Sequence, residues 1–200
     1  LLDYLDNKAL RENTVVIYIC DNGWIQRENS PRHAGRSKLT SYEGGIRTPV
    51  MVRWPGHVTP RRDDATLVSA VDMMPTSLAA CGLKPGPDMQ GADLLDSRAL
   101  ASRKAVFGAG YGHDAVDVND PAANLYVRWV LEGRWKLLSP FRRNRPRDIV
   151  ELFDVLADPH EERNVALEHR AALAHEVIRQ GLDQASGIEG MTVVMEVHGE

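Results

Sequence analysis

The sequence has little of what defines several common protein classes. Its 200 residues include only two cysteines, Cys20 and Cys81, and these do not form a C-x-x-C pair. This excludes a disulfide-rich scaffold, and because both cysteines lie in apolar surroundings we expect buried free thiols. No apolar run reaches the length of about 18 residues that a membrane-spanning helix requires, which excludes a membrane span.

An excess of positive charge is also absent. Lysine and arginine number 24 against 28 aspartate and glutamate residues, which gives a net charge of −4. This balance argues against general binding to nucleic acid or to an anionic membrane, since both depend on a basic surface. The 43% apolar and 26% charged content is that of a globular protein and not of a disordered chain.

The chain also lacks a recognisable leader. Its first residues, LLDYLDNKAL, have neither the basic nor the long apolar segment of a signal peptide. Because the chain begins with Leu1 rather than with Met, we expect its natural start to lie upstream. The residues themselves leave the cellular compartment open.

The first half of the chain has the pattern of an α/β core. Residues 14–20 form a continuous β-branched and aromatic run, which predicts a strand buried on both faces, as in a parallel sheet covered by helices. The segment PVMVRWPG, residues 49–56, predicts a second strand that ends in a Pro-Gly turn. Asp72 is predicted to be the N-cap of a helix over residues 73–81, which ends at Gly82.

The second half predicts short strands joined by turns. The predicted elements are strands over 104–111, 125–131, 134–139 and 149–155, a hairpin turn at 132–134, and a helix with an apolar face from Leu173 to Leu182. The predicted fold class is therefore α/β: residues 1–100 form the end of a mainly parallel sheet with helices. Residues 101–200 form a small antiparallel-sheet subdomain with one packed helix. A strand with two apolar faces needs neighbours on each side, so we expect further strands upstream and interpret the chain as the C-terminal part of a larger α/β enzyme.

Two polar residues, Asp21 and Asn22, directly follow the first predicted strand. A ligand crevice lies at the carboxyl ends of strands in open α/β sheets, and a carboxylate beside a carboxamide offers the hard oxygen ligands that Ca²⁺ or Mg²⁺ prefers. The alternative is a simple Asn-Gly turn, which no matching antiparallel strand follows here. Ca²⁺ takes about six to eight oxygens, so this pair alone does not complete a site.

Lys38 lies in the irregular stretch that follows. A lysine there can serve as a point charge for an anionic group, although most loop lysines are simply solvated. Gly44 and Gly45 allow close backbone approach. For Glu43 and Arg47 we expect a structural ion pair.

Several segments together resemble a known family. In order along the chain they are VVIYICDNGW, SKLTSYEGGIRTPVMVRWPG, VSAVDMMPTSLAACGL with MQGADLL, GRWKLL, and ELFDVLADPHEERNV. They resemble the C-terminal half of formylglycine-dependent sulfatases, arylsulfatase-like enzymes within the alkaline phosphatase superfamily. The resemblance covers most of residues 13–167 and implies a sheet of the alkaline phosphatase type and the hydrolysis of sulfuric esters.

The resemblance implies a role for individual residues. The acid and amide of the family bind calcium, which maps onto Asp21 and Asn22, and the family lysine that contacts sulfate oxygens maps onto Lys38. Calcium and lysine would then neutralise the ester and its developing charge. The nucleophile of the family is formylglycine, made from the Cys or Ser of a C/S-x-P-x-R segment that these residues do not contain. We therefore expect the nucleophile and the remaining calcium ligands upstream, and an isolated fragment without activity.

Three further residues are candidates for contact with substrate. His33 precedes Lys38 by a few positions and could reach the leaving group, although a solvated loop histidine is the alternative. His113 and Asp114 lie in a polar insert between two predicted strands, which could contact the sugar or aromatic part of a substrate. The expected partner is a sulfated small molecule or a sulfated carbohydrate.

Two other functions remain open from the sequence. One is the hydrolysis of phosphate or phosphonate esters, although Asn22 stands where many phosphate-cleaving relatives carry histidine. The other is a non-catalytic module that binds sulfated glycans. The resemblance implies a periplasmic or extracellular protein, since sulfatases of this type are often exported, and it leaves the oligomeric state open.

Overall fold

The computed structural model describes residues 1–169. The chain forms two compact units, each built from separate stretches of sequence. The first unit comprises Leu1–Cys20 and Thr48–Lys104, and the second comprises Asp21–Arg47 and the chain from Ala105 onward. No helix within the described residues is long and apolar enough to cross a membrane.

The first unit contains a two-stranded sheet and short helices. Its elements are α1 (Leu2–Asn7), β1 (Val16–Ile19), β2 (Val50–Arg53), a 3₁₀ helix (Ala70–Asp72), α3 (Met73–Ala80) and α4 (Ser97–Ser102). Strands β1 and β2 pair antiparallel, with Val16 opposite Arg53 and Ile19 opposite Val50.

The expectation of a parallel arrangement for these two strands is therefore wrong. An uninterrupted apolar run indicates packing on both faces, but it carries no information on the direction of the neighbouring strand. The expectation of burial on both faces is not met in the described chain either, because Tyr18 and Ile19 at the end of β1 are exposed.

Asp72 does not act as the predicted N-cap of α3. Its side chain makes no capping hydrogen bond to that helix. The fully buried carboxylate instead accepts hydrogen bonds from the backbone N–H groups of Ser69 (2.7 Å) and Ala92 (2.8 Å) and pairs with the guanidinium of Arg103 at 2.6 and 2.7 Å. The hydrogen bond to Asp72 raises the pKa of Arg103. The other end of the helix is as predicted, since Gly82 follows it with a φ of +72°.

The second unit is built on a four-stranded antiparallel sheet, which confirms the predicted class of this half. Its elements are α2 (Glu43–Ile46), β3 (Ala105–Tyr111), a 3₁₀ helix (Pro121–Asn124), β4 (Leu125–Glu132), β5 (Trp135–Pro140) and β6 (Glu151–Asp154), and the strand order is β3-β4-β5-β6. The predicted hairpin joins β4 to β5 through Gly133, whose φ is +57°. The predicted helix from Leu173 to Leu182 lies outside the described residues.

Both faces of this sheet are covered by apolar residues. One buried cluster contains Val130, Leu137, Leu152, Val165 and Ala166, and the other contains Leu138, Phe153 and Val155. Adjacent residues of one strand point to opposite faces, so Leu137 and Leu138 enter different clusters. The sheet thus provides the rigid support of the second unit.

The two cysteines are free thiols, as predicted, but they are not buried. Cys20 is half-buried at the end of β1, and Cys81 is exposed just after α3. An exposed position at a helix end explains how Cys81 can lie in an apolar stretch of sequence without entering the core.

Candidate active site

Asp21 and Asn22 follow the end of β1, and each has a side-chain oxygen atom that is free to bind a ligand. Oδ1 of Asp21 accepts the backbone N–H of Asn22 at 2.9 Å, and Nδ2 of Asn22 donates to the carbonyl of Gly23 at 2.8 Å. Among residues 1–169, no hydrogen bond uses Oδ2 of Asp21 or Oδ1 of Asn22. Two hard oxygen atoms are therefore available for a ligand.

The backbone behind this pair is packed too closely for side chains. The N–H of Gly23 donates to the carbonyl of Gly45 at 2.7 Å. A Cβ on Gly23 would lie 2.4 Å from the carbonyl oxygen of Gly44, and a Cβ on Gly45 would lie 2.3 Å from that of Thr40. Such contacts are far below van der Waals distance, so glycine is required at both positions. Gly44 and Gly45 of α2 thus allow the ligand loop, the segment that begins with Asp21 and Asn22, to pack directly against α2.

Ser37 anchors the residue before Lys38. Its side chain is fully buried, and its hydroxyl oxygen accepts the backbone N–H of Ile25 while donating to the carbonyl of Gly44 at 3.4 Å. The hydroxyl therefore joins three parts of the loop at one point. Nothing in its sequence context distinguishes this serine from a solvated one.

Lys38 and His33 are brought together by Trp24. The ammonium of Lys38 lies 5.7 Å from the centre of the indole, within the range of a cation–π interaction. The His33 ring packs against the same indole in a T-shaped arrangement, with centroids 5.5 Å apart and an angle of 73° between the planes. Nδ1 of His33 lies 3.0 Å from the carbonyl of Ala34, so this nitrogen must carry the hydrogen, and Nε2 is the atom left for other partners.

A buried charge cluster ties this loop to the sheet. Nζ of Lys136, on β5, lies 2.9 Å from Oε1 of Glu43 and 3.1 Å from Oε1 of Glu161, and Glu161 also accepts the backbone N–H of Glu43. Lys136 and Glu161 are 0% exposed and Glu43 is 7% exposed. Burial raises the pKa of Glu161, against the opposing effect of Lys136. The predicted pair of Glu43 and Arg47 is present at the edge of the cluster, at 3.9 Å.

His113 and Asp114 follow β3 and form a separate group. Nδ2 of the buried Asn124 donates to the backbone carbonyl of Asp114 at 2.6 Å. The Tyr126 hydroxyl lies beside Gly112, 2.5 Å from the place that a Cβ would occupy. The Asn124 side chain also donates to the carbonyl of Gly112 and accepts the N–H of Val116, so it holds the predicted polar insert at three positions.

The residues present fit calcium in type but not in number. Asp21 and Asn22 provide oxygen ligands of the kind that calcium takes. Within the described part of the chain, no group of three or more His, Cys, Asp or Glu side chains could hold a metal ion. Among residues 1–169, Asp21 and Asn22 therefore offer two oxygen atoms of the type that calcium takes and not a complete set of ligands.

Comparison with known proteins identifies the family of the chain. The sequence model of the family described as "N-sulphoglucosamine sulphohydrolase, C-terminal" matches residues 33–186. The chain belongs to this sulfatase family. The sulfatase resemblance noted from the sequence is thereby confirmed.

Individual sulfatases match over most of the chain. An N-acetylgalactosamine-6-sulfatase of Rattus norvegicus is 36% identical over 147 residues, covering 68% of this chain and 27% of that protein. An endo-4-O-sulfatase of Bacteroides thetaiotaomicron is 30% identical over 195 residues, covering 90% of this chain and 37% of that protein. The chain thus spans between about a quarter and two fifths of the length of these relatives.

Solved structures confirm the fold. One solved structure comes from a study of how Bacteroides thetaiotaomicron metabolises multiple glycosaminoglycans. It has a TM-score of 0.68 and 24% identity, and the match covers 92% of this chain and 40% of that one. Another, solved in complex with its substrate D-glucosamine-2-N,6-O-disulfate, has a TM-score of 0.65 and 24% identity, covering 92% of this chain and 36% of that one.

Proposed function

We propose that this chain supplies calcium ligands and a sulfate-binding lysine to a sulfatase that hydrolyses a sulfate ester of a carbohydrate. The observation that carries the proposal is the loop of the second unit, in which a pair of free hard oxygens, a lysine and a histidine occur on one supported segment. Membership of the sulfatase family supports it independently.

Each residue has a distinct part in the proposed reaction. Asp21 and Asn22 present oxygen atoms to calcium, which when bound supplies positive charge beside the ester. Lys38 holds a sulfate oxygen through a charge-assisted hydrogen bond. His33 keeps its Nδ1–H on a carbonyl, so that Nε2 is the atom that faces the leaving oxygen or the substrate.

A carbohydrate is the proposed alcohol half of the ester. The names of two relatives specify sulfated sugars, and one structural neighbour was solved with a sulfated glucosamine. In this proposal His113 and Asp114 contact the sugar. A sulfated small molecule of another kind is the alternative substrate.

We also propose that the two halves of the chain belong to different parts of the enzyme. In this proposal residues 1–100 belong to the catalytic α/β core and residues 101–200 to the C-terminal subdomain, while residues 21–47 pack in one compact unit with the chain from Ala105 onward. The proposed reaction needs a nucleophile, and the C/S-x-P-x-R segment in which sulfatases carry it does not occur among these 200 residues.

The test uses the protein expressed from its complete reading frame. Asp21→Ala and Lys38→Ala should each lower kcat/KM for a sulfated monosaccharide by about 10²- to 10³-fold, the usual effect of removing one preorganised electrostatic contact. Asp88→Ala and Lys84→Ala, which remove the same charges from exposed positions, are the controls. Rates like wild type in both site variants would refute the proposal, and faster turnover of the matching phosphate ester would assign the enzyme to phosphate chemistry.

A further inference from the structure

Trp24 is a large apolar residue placed between two of the proposed site residues. The ammonium of Lys38 lies over the indole ring, and the imidazole of His33 packs against the indole in a T-shaped arrangement. It nevertheless keeps 50% of its surface exposed. An exposed indole beside a ligand-binding lysine is a feature that neither the calcium pair nor the sulfate contact requires.

The orientation of the indole is set by the loop around it. Its only donor, Nε1–H, is 3.1 Å from Oε1 of Gln26, and Nε2 of Gln26 donates in turn to the carbonyl of Arg32 at 3.1 Å. The N–H of Ala34 donates to the carbonyl of Ile25 at 2.8 Å, which closes the same ribbon. Because the polar edge of the indole is satisfied, the surface that remains exposed is apolar.

The distance from Lys38 places the indole within reach of the substrate. A charge-assisted N–H···O bond spans about 2.8 Å. With the ammonium 5.7 Å from the indole centre, a sulfate oxygen held by Lys38 lies within about 8.5 Å of that centre. At that distance, a ring joined to sulfur through the ester oxygen can reach the indole.

We propose that Trp24 binds the sugar ring that carries the sulfate, by packing its flat apolar surface against the C–H face of that ring. This inference rests on the proposed function and adds a specificity-determining residue to it. Lys38 recognises the charged group, which every sulfate ester has, whereas Trp24 recognises the ring, which only some esters have. Flat aromatic residues contribute large apolar area at low entropic cost, which suits them to this role.

The experiment compares ligands with and without the ring, in the protein from its complete reading frame. The variants are Trp24→Leu, which is apolar but not flat, Trp24→Phe, which keeps a ring, and Leu39→Ala as a neighbouring exposed control. The measurements are KM and kcat for N-acetylgalactosamine 6-sulfate and for 4-nitrophenyl sulfate, the inhibition constant of inorganic sulfate, and the change in indole emission when each ligand is added.

We expect Trp24→Leu to raise KM for the sugar ester by about tenfold or more, while the inhibition constant of inorganic sulfate changes by less than about threefold. The KM of Trp24→Phe for the sugar ester should lie between those of wild type and Trp24→Leu, and the KM of Leu39→Ala should match that of wild type. In wild type the sugar ester, but not inorganic sulfate, should alter the part of the emission that Trp24→Phe removes. A larger effect on the aryl ester than on the sugar ester would assign the ring to an aryl group and overturn the sugar assignment.

Two results would overturn the inference without touching the proposed function. Equal losses for the sugar ester and inorganic sulfate would mean that Trp24 acts only by placing Lys38. Unchanged KM values would mean that it does not contact the substrate. A wild-type protein that hydrolyses no sulfate ester refutes the proposed function instead, and if it also fails to bind the sugar ester by indole emission, it refutes both.

Discussion

The ammonium nitrogen of Lys136 lies 2.9 Å from a carboxylate oxygen of Glu43, and both side chains are buried. Glu43 begins the short helix α2, whose Gly45 accepts the backbone N–H of Gly23, next to the proposed calcium ligands. A strand of the antiparallel sheet thus holds the backbone layer on which the ligand loop lies. An ion pair buried this deeply is costly to break from one side, because the remaining charge loses its partner.

Replacing Lys136 should therefore destabilise the protein strongly. Lys136→Met leaves Glu43 and Glu161 without a buried counter-charge, since Arg47, 3.9 Å from Glu43, is exposed. We expect a loss of about 3–5 kcal/mol in the free energy of unfolding. Equilibrium denaturation with two probes measures this loss.

The control for Lys136 removes the whole charge cluster. The triple variant Lys136→Met/Glu43→Gln/Glu161→Gln carries no buried charge, so it should recover most of the lost stability. If the single variant is as stable as wild type, the cluster does not hold the loop.

Gly45 should tolerate no side chain. A Cβ there would lie 2.3 Å from the carbonyl of Thr40 and 2.4 Å from that of Ser37, both backbone atoms that cannot rotate away. We expect Gly45→Ala to cost about 1–3 kcal/mol and to weaken calcium binding, because the loop must shift. Gly35→Ala is the matched control from the same loop, since nothing lies within 4 Å of its Cβ position. Similar melting temperatures for the two variants would contradict the packing.

Through Asp21, calcium should stabilise the protein expressed from its complete reading frame. A ligand that binds only the folded state at about a hundred times its Kd adds about 2.7 kcal/mol, so the melting temperature should rise with added calcium and fall with a chelator. Asp21→Asn keeps an oxygen for the N–H of Asn22 but removes the charge, and it should abolish most of the shift. Asp3→Asn, which changes an exposed acid elsewhere in the chain, should leave the shift in melting temperature unchanged. A shift that survives in Asp21→Asn would place calcium at a different site.

Tyr42 should ionise later than an ordinary tyrosine. Burial, with a hydrogen bond from its hydroxyl to Glu151 at 2.8 Å, raises the pKa of Tyr42 to about 12. Because the raised pKa favours the protonated phenol in the folded state, its contribution to stability is complete below about pH 10 and is lost as the pH rises through about 12. An absorbance titration of tyrosinate should show a late component that Tyr42→Phe removes. A titration unchanged by that substitution would contradict the assignment.

Much of the second unit was predictable because its signals are local. Short strands with a Glu-Gly-Arg turn between two of them specify a hairpin, and the observed strands begin and end close to the predicted residues. The direction of β2 relative to β1 was not predictable, since apolar runs do not encode it. The role of Asp72 was also missed, because its partner Arg103 is distant in sequence.

In the candidate site too, the sequence predicts some of the residues and not others. Asp21, Asn22 and Lys38 belong to recognisable motifs, and their roles remain predictions. Ser37 and Trp24 act through contacts that loop sequence does not specify. Lys136 did carry a signal, because a lysine between Trp135 and Leu137 in a buried strand requires an acidic partner, but the sequence does not say that the partner is Glu43.

The division of the chain into units has a practical consequence for truncation. The chain passes from one unit to the other after Cys20, after Arg47 and after Lys104, so no single cut yields either unit whole. A fragment that starts at Ala105 would retain Lys136 and Glu161 but leave out Glu43, and its sheet would bury a lysine with half of its compensating charge missing. The antiparallel sheet is therefore a poor choice for expression by itself, and dissection of this protein requires joining residues 21–47 back to it.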